Sequence, residues 1–160
     1  MPANPQAETS VRAMAATGNR PWTRALAGAL GVMLVGLLMF QLFRRVQSEI
    51  ALGRGLELER RGDAVSAERE FRAGLRCEPD DGRLHYGLAR TMLLQERYSE
   101  ALAEALKAER TLADSHLEVL KARSVDQLGF RSLALELYRH ALWLDPSLKS
   151  VPGDIQRLAP

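Results

Sequence analysis

The chain has 160 residues, of which 46% are hydrophobic and only 6% aromatic. This length suits one domain, and a core built from Leu and Ala favours helices over sheets. The 22 basic and 20 acidic residues leave a net charge of +2, and the opposite charges are interleaved along the chain, so no nucleic acid partner is expected. Because Cys77 is the only cysteine, an intramolecular disulfide is excluded, and we expect a buried, unreactive thiol.

The N-terminal part of the chain predicts a tail followed by a membrane anchor. Residues 1–21 have little hydrophobic periodicity, which indicates a disordered tail. The segment "ALAGALGVMLVGLLMFQLF", residues 25–43, carries no charge. Its length at about 1.5 Å per residue matches the hydrocarbon core of a bilayer, so we predict a transmembrane helix over residues 22–46. A cleaved signal peptide is the competing interpretation, but no A-x-A site follows the apolar run.

The flanks of this segment bear on its partners and its orientation. Residues 25–43 are expected to contact lipid, and Ala27 with Gly31 forms a small-xxx-small pair that predicts weak anchor dimerisation.

Three arginines precede the segment and five follow it: Arg12, Arg20, Arg24, then Arg44, Arg45, Arg54, Arg60, Arg61. Their number favours a cytoplasmic C-terminal side, whereas a single N-terminal anchor with basic residues ahead of it leaves its tail inside. We expect a single-pass protein with an exported, periplasmic C-terminal domain, and keep the cytoplasmic side as the alternative.

The rest of the chain is repetitive. Similar phrases begin at Ala67 ("AEREFRAGLRCEP"), Ala101 ("ALAEALKAERTLA") and Ala134 ("ALELYRHALWLDP"). Their even spacing, roughly 34 residues, is typical of helix-turn-helix arrays. We predict three repeats within residues 48–146, and we expect residues 149–160 to be a tail or a short capping helix. The predicted units are 48–81, 82–114 and 115–148.

Local signals agree with two helices in each unit. Gly62 and Gly129 are expected to end first helices, and Ser115 with Glu118 reads as a capping box. Small residues recur where paired helices would approach closely, and large aromatic residues recur where successive pairs would meet. The small set is Gly55, Ala67, Gly74, Ala89, Ala101, Ala108, Ala134 and Ala141, and the aromatic set is Phe71 and Tyr138.

On these residues the chain resembles the tetratricopeptide repeat (TPR) family from about Ser48 to Pro146. The second helices match the small/large signature best. The large aromatic residue usual early in the first helix is replaced by Ala51, His85 and Glu118. The resemblance implies an all-α fold, a short α-solenoid of three helix-turn-helix repeats that here follows a single transmembrane helix. A generic α-solenoid is the alternative.

No catalytic chemistry is expected. The sequence has no phosphate-binding loop, nucleophile elbow, H-E-x-x-H or C-x-x-C-H motif. His85, His116 and His140 are too widely spaced for metal ligands and are interpreted as helix-surface residues. We therefore predict a non-enzymatic protein without a cofactor or a metal.

In the TPR family the first helices line a concave groove that binds peptides. Mapping the repeat onto this chain predicts a groove of eight residues: Leu52, Leu56, Arg83, Tyr86, Arg90, His116, Val119 and Arg123. Arg90 and Arg123 stand one repeat apart, and together with Tyr86 they favour acidic or C-terminal segments of a protein partner. The alternative is that these arginines only pair with acids on neighbouring helices. The family's carboxylate clamp also uses asparagines, and the repeats contain none, so chaperone tails are not the expected ligand.

Two functions follow from this organisation. The first is a membrane-anchored adaptor or scaffold whose groove binds protein or peptide segments during assembly of a bacterial envelope or membrane complex. The second is a fixed structural subunit of a larger membrane complex, which uses its anchor and convex face and leaves the groove unoccupied.

Overall fold

A computed structural model describes residues 21–158 of the chain. The predicted tail lies outside the described residues, except for Pro21, which begins the first helix. Within the described range there are seven helices and no strand. They are α1 (Pro21–Arg60), α2 (Ala64–Cys77), α3 (Gly82–Leu94), α4 (Tyr98–Ala108), α5 (Ser115–Gln127), α6 (Arg131–Leu144) and α7 (Val151–Leu158).

The chain divides into two units, residues 1–43 and 44–160, which are described separately. In the first unit, every residue from Ala25 to Phe43 is helical and exposed. By length and composition α1 could cross a membrane.

The second unit is an α-solenoid of three helix pairs followed by α7. Consecutive helices pack on one another from α2 to α7, and α3 also contacts α5 one repeat further along. Each element therefore contacts its near neighbours in the sequence, as in other repeat proteins. The predicted all-α solenoid is confirmed.

Small residues allow the helices to approach closely, as the sequence indicated. The six alanines of the predicted small set are all fully buried. Phe71, also fully buried, lies against Gly55 of α1 and Gly87 of α3, where any β-carbon would overlap its ring. Burial of such a ring stabilises the fold by about 1.5–3 kcal/mol. Phe71 thus joins the first helix pair to the second.

Equivalent turns end the first helix of every pair. Gly62, Glu96 and Gly129 follow one another at the spacing of the repeat, and all three have positive φ angles, +80°, +60° and +90°. Glycine adopts this conformation without steric cost, whereas Glu96 is the one member of the set that has a side chain. The repeat is therefore preserved in backbone conformation even where the sequence departs from it.

The N-termini of the helices correct one expectation. Asp63, Asp81 and Asp114 cap α2, α3 and α5 by accepting hydrogen bonds from backbone N–H groups. The predicted capping box is wrong, because the cap of α5 is Asp114 and the Glu118 carboxylate bonds to Lys121 instead.

Two side chains are placed differently from the expectation. Cys77, expected in the core, is only half-buried at the end of α2. His85, expected on the surface, is 8% exposed. Its Nδ1 lies 2.7 Å from the Glu104 carboxylate and its Nε2 lies 2.8 Å from the Pro79 carbonyl, which ties α3 to α4 and to the preceding loop.

The C-terminal helix α7 covers the end of the solenoid. Val151 is fully buried in a cluster with Tyr138 and Val125, and Ile155 and Leu158 pack against the same cluster. Residues 149–160 were expected to be a tail or a capping helix, and this packing supports the second interpretation.

Candidate functional site

The candidate site is a groove along one side of the second unit. It has a volume of about 570 Å³ and is formed by side chains of α1, α3 and α5 and by the segment joining α6 to α7. Its lining comprises Leu56, Glu59, Arg60, Tyr86, Arg90, Leu93, Leu94, His116, Val119, Leu120, Arg123, Leu148 and Ser150. The first helices of the three pairs contribute because residues at the same repeat position fall on the same side of the solenoid.

Six of the eight residues predicted for the groove line it, namely Leu56, Tyr86, Arg90, His116, Val119 and Arg123. The other two lie elsewhere. Leu52 packs against the buried cluster around Phe71. Arg83 forms ion pairs with Asp81 and Glu49 near the N-terminus of α3.

Arg90 is held by one group on the neighbouring helix α1 and by one on its own helix α3. Its guanidinium lies 2.8 Å from the Glu59 carboxylate of α1 and 5.6 Å from the centre of the Tyr86 ring. Glu59 has only 7% of its side chain exposed, and this burial raises its pKa while Arg90 opposes the shift. Glu59 and Arg90 therefore neutralise each other's charge. This is the alternative in which the arginine pairs with an acid on a neighbouring helix.

This pairing is one step of a ladder along the repeats. Arginines 90, 123 and 157 occupy equivalent positions on α3, α5 and α7. The acid one repeat earlier pairs with the first and the last of them: Glu59 lies 2.8 Å from Arg90, and Asp126 lies 2.8 Å from Arg157.

The middle step of the ladder lacks its acid. The residue equivalent to Glu59 and Asp126 is Leu93, so Arg123 has no carboxylate from the preceding repeat. Its ion pair is with Asp154 of α7 at 3.7 Å, a longer separation than at the other two steps. Among the three arginines of the ladder, Arg123 therefore has the longest ion pair.

The groove carries an excess of positive charge. Arg60, Arg90 and Arg123 face a single carboxylate among the lining residues, that of Glu59. Leu93 and Leu94 were not predicted as lining residues, although they stand one repeat after Glu59 and Arg60 and the period alone places them here. Apolar walls with cationic side chains suit an extended peptide with an acidic group.

The potential metal ligands of the described residues do not cluster. Among residues 21–158, no group of three or more His, Cys, Asp or Glu side chains is arranged to hold a metal ion.

Comparison with solved structures identifies the fold. The second TPR domain of human RPAP3, determined with the HSP70 peptide SGPTIEEVD, superposes with a TM-score of 0.67 at 18% identity, over 72% of this chain and 97% of that one. The TPR2B domain of yeast Sti1, in complex with an Hsp70 peptide, has a TM-score of 0.62 at 21% identity over 71% and 93%. An O-GlcNAc transferase from Thermobaculum terrenum has a TM-score of 0.68 at 17% identity, but the match covers only 22% of that enzyme against 72% of this chain.

No family model and no curated protein sequence matches the chain. The RPAP3 and Sti1 domains nevertheless align over nearly their whole length, and both are TPR domains. Their alignment agrees with the successive helix pairs and the repeat spacing found in residues 44–158. The second unit of this chain therefore has the tetratricopeptide-repeat fold.

Proposed function

We propose that the chain is a membrane-anchored TPR adaptor whose groove binds an acidic or C-terminal segment of a protein partner and so supports assembly of an envelope or membrane complex. The observation that carries this proposal is Arg123. It lines an apolar groove, and the acid that pairs with the equivalent arginine in the other repeats is replaced by Leu93. A carboxylate of a bound segment would take the place of the acid that Leu93 replaces.

Two observations support a peptide as the ligand. The groove is elongated across three helices and combines Tyr86, Val119 and leucines with basic side chains, as peptide-binding surfaces do. The matched RPAP3 domain was determined with SGPTIEEVD, a peptide with three acidic residues. Because the asparagines of the carboxylate clamp are absent here, we propose a different acidic segment for this chain.

The anchor is the second part of the proposal. Residues 25–43 form an apolar helix whose side chains are all exposed, which supports burial of this segment in lipid. Partners would then be found at the membrane surface. Ala27 and Gly31 are exposed on this helix and would allow a weak anchor dimer.

Photo-crosslinking in intact membranes tests the groove. A photoreactive amino acid at Leu93 is expected to crosslink to a partner, whereas the same amino acid at Leu106, half-exposed on α4 outside the groove, is not. Arg123→Glu should lower the crosslinking yield about tenfold, which corresponds to the loss of one charge-assisted contact. Arg110→Glu is the matched control, since Arg110 is an exposed arginine outside the groove. Equal yields in both variants would refute the proposal.

A fixed structural subunit is the second candidate, and the surface of α6 favours it. Phe130 and Trp143 are 62% and 76% exposed in the second unit. Aromatic side chains at this exposure are typical of protein interfaces. Crosslinks from Phe130 or Trp143, without any from Leu93, would select this candidate over the adaptor.

A further inference from the structure

A second pocket lies between the loop that joins α4 to α5 and the last turns of α6. We call it the Glu118 pocket. Its volume is about 500 Å³, and its main lining residues are Glu109, Leu112, Asp114, Glu118, His140 and Leu144. None of these residues lines the groove. Three of the six carry carboxylates, so the pocket and the groove have opposite charge.

The preceding repeat contains an equivalent pocket, which serves as an internal comparison. Pro79, His85, Lys107 and Thr111 line it, and each stands one repeat before a residue of the Glu118 pocket. In this pocket the buried side chain is His85, and both of its ring nitrogens have a hydrogen-bond partner. One lies 2.7 Å from Glu104 and the other 2.8 Å from the Pro79 carbonyl.

The Glu118 pocket lacks the matching partner. The residue equivalent to Glu104 is Leu137, which offers no polar group. Lys121 lies 2.7 Å from Oε1 of Glu118, but Oε2 makes no hydrogen bond although the side chain is only 8% exposed. Nδ1 of His140 lies 3.4 Å from Oε2 without forming a hydrogen bond, and this ring is charged only when protonated. A buried carboxylate oxygen without a donor is an unmet interaction.

We propose that the Glu118 pocket binds an arginine side chain of a partner protein. A planar guanidinium can donate to Oε2 of Glu118, and its aliphatic stem can lie along Leu112 and Leu144. Trp143 stacks on His140 with ring centres 5.9 Å apart and is 76% exposed, so its ring offers a face to the cation. In the structure Nδ1 of the half-exposed His140 side chain lies 3.4 Å from Oε2 and covers it. In the proposed complex this side chain swings outward, and the guanidinium takes its place.

The organic cation is favoured over a metal ion. In the part of the chain that the structure describes, the carboxylates of this pocket do not form a group that could hold a metal. Two of the three are already engaged with the protein: Glu109 with Lys121, and Asp114 with the backbone N–H of His116. Among these three carboxylates, Oε2 of Glu118 is the buried oxygen that has no donor, and one guanidinium can satisfy it.

The tryptophan next to the pocket provides the readout. The full chain in detergent, with Trp22→Phe so that Trp143 is the only tryptophan, is titrated with the peptide Ac-Gly-Arg-Gly-NH2. Trp143 fluorescence should change saturably. The same peptide with citrulline, which has the shape of arginine without its charge, should give no response. A response to citrulline, or none to arginine, would overturn the proposal.

Three variants assign the response to Glu118. Glu118→Gln should weaken binding about tenfold or more, and Asp80→Asn, which removes a carboxylate from the equivalent pocket one repeat earlier, should leave it unchanged. His140→Lys places a permanent cation beside Oε2, so it should raise the melting temperature and abolish the arginine response. Unchanged binding in Glu118→Gln or in His140→Lys would show that the peptide binds elsewhere.

Discussion

Two glycines of α1, Gly53 and Gly55, have opposite roles in packing. A β-carbon at Gly55 would lie 2.5 Å from the Phe71 ring, which is fully buried and cannot move aside, whereas a β-carbon at Gly53 meets nothing within 4 Å. We expect Gly55→Ala to lower the free energy of unfolding by about 1–3 kcal/mol through overpacking. Gly53→Ala should raise it by about 0.5–1 kcal/mol, because alanine is the better helix former. Urea unfolding of both variants measures this difference, and equal effects would contradict the packing of α1 on α2.

Tyr138 gives the fold a dependence on alkaline pH. Burial, with a contribution from the nearby charge of Asp154, raises the pKa of Tyr138 to about 12 from its ordinary value of 10. Because the folded state holds the proton more tightly, the associated stability is present below pH 10 and is lost as the pH rises from about 10 to about 12.

The variant Tyr138→Phe tests whether Tyr138 causes this loss of stability at alkaline pH. The hydroxyl is buried without a hydrogen bond, so its removal should change stability at pH 7 by less than about 1 kcal/mol. The loss of unfolding free energy between pH 10 and 12 should be smaller in the variant than in the parent chain. Tyr98→Phe on α4 is the control. An alkaline loss identical to that of the parent would show that Tyr138 is not the group responsible.

At the scale of elements, α7 acts as the cover of the last repeat. Val151 is fully buried against the cluster that contains Tyr138, so Val151→Asp places a charge in an apolar site and should cost about 3 kcal/mol or more. Gly153 on the same helix meets nothing within 4 Å, and Gly153→Ala should be neutral or stabilising by up to about 1 kcal/mol. Thermal unfolding of the two variants measures the difference in their stability. A harmless Val151→Asp would mean that α7 does not pack on the solenoid.

The order and type of the elements could be predicted from the sequence because the repeat is periodic. The regular spacing of Ala67, Ala101 and Ala134 fixes where successive helices meet, and the same period places most of the groove. Side-chain pairing could not be predicted, because it depends on which residue faces the position across the helix pair. Glu59 forms an ion pair with Arg90, whereas Leu93 at the equivalent position cannot pair with Arg123, whose ion pair with Asp154 is longer.

Departures from the period were the hardest features to interpret. His85 and Glu118 replace a large apolar side chain at the same repeat position, and the sequence alone suggested that they were exposed or served as caps. Their burial follows from the helix pairs around them, which leave little room for solvent at that position. One is satisfied by Glu104 and the other faces Leu137, a difference that only the structure makes visible.

In the whole molecule, the proposed anchor would hold the groove and the Glu118 pocket at one membrane surface, and these two sites have opposite charge. The groove, with Arg123, would bind an acidic segment, while the Glu118 pocket would bind an arginine. An adaptor with both could hold two partners, or two segments of one partner, and the gain in affinity would come from effective concentration. The side of the membrane decides which partners are within reach.

We expect the repeat unit on the exported side, because the alternative requires a tail with Arg12, Arg20 and Arg24 to cross the membrane. The test uses Cys77→Ser as the background and adds one cysteine at Lys149, which is exposed between α6 and α7, or at Ala3 in the tail. In spheroplasts a membrane-impermeant maleimide should label Lys149→Cys, whereas Ala3→Cys should be labelled only after lysis. Labelling of Ala3→Cys alone before lysis would reverse the orientation, and labelling of both would mean that α1 does not span the bilayer.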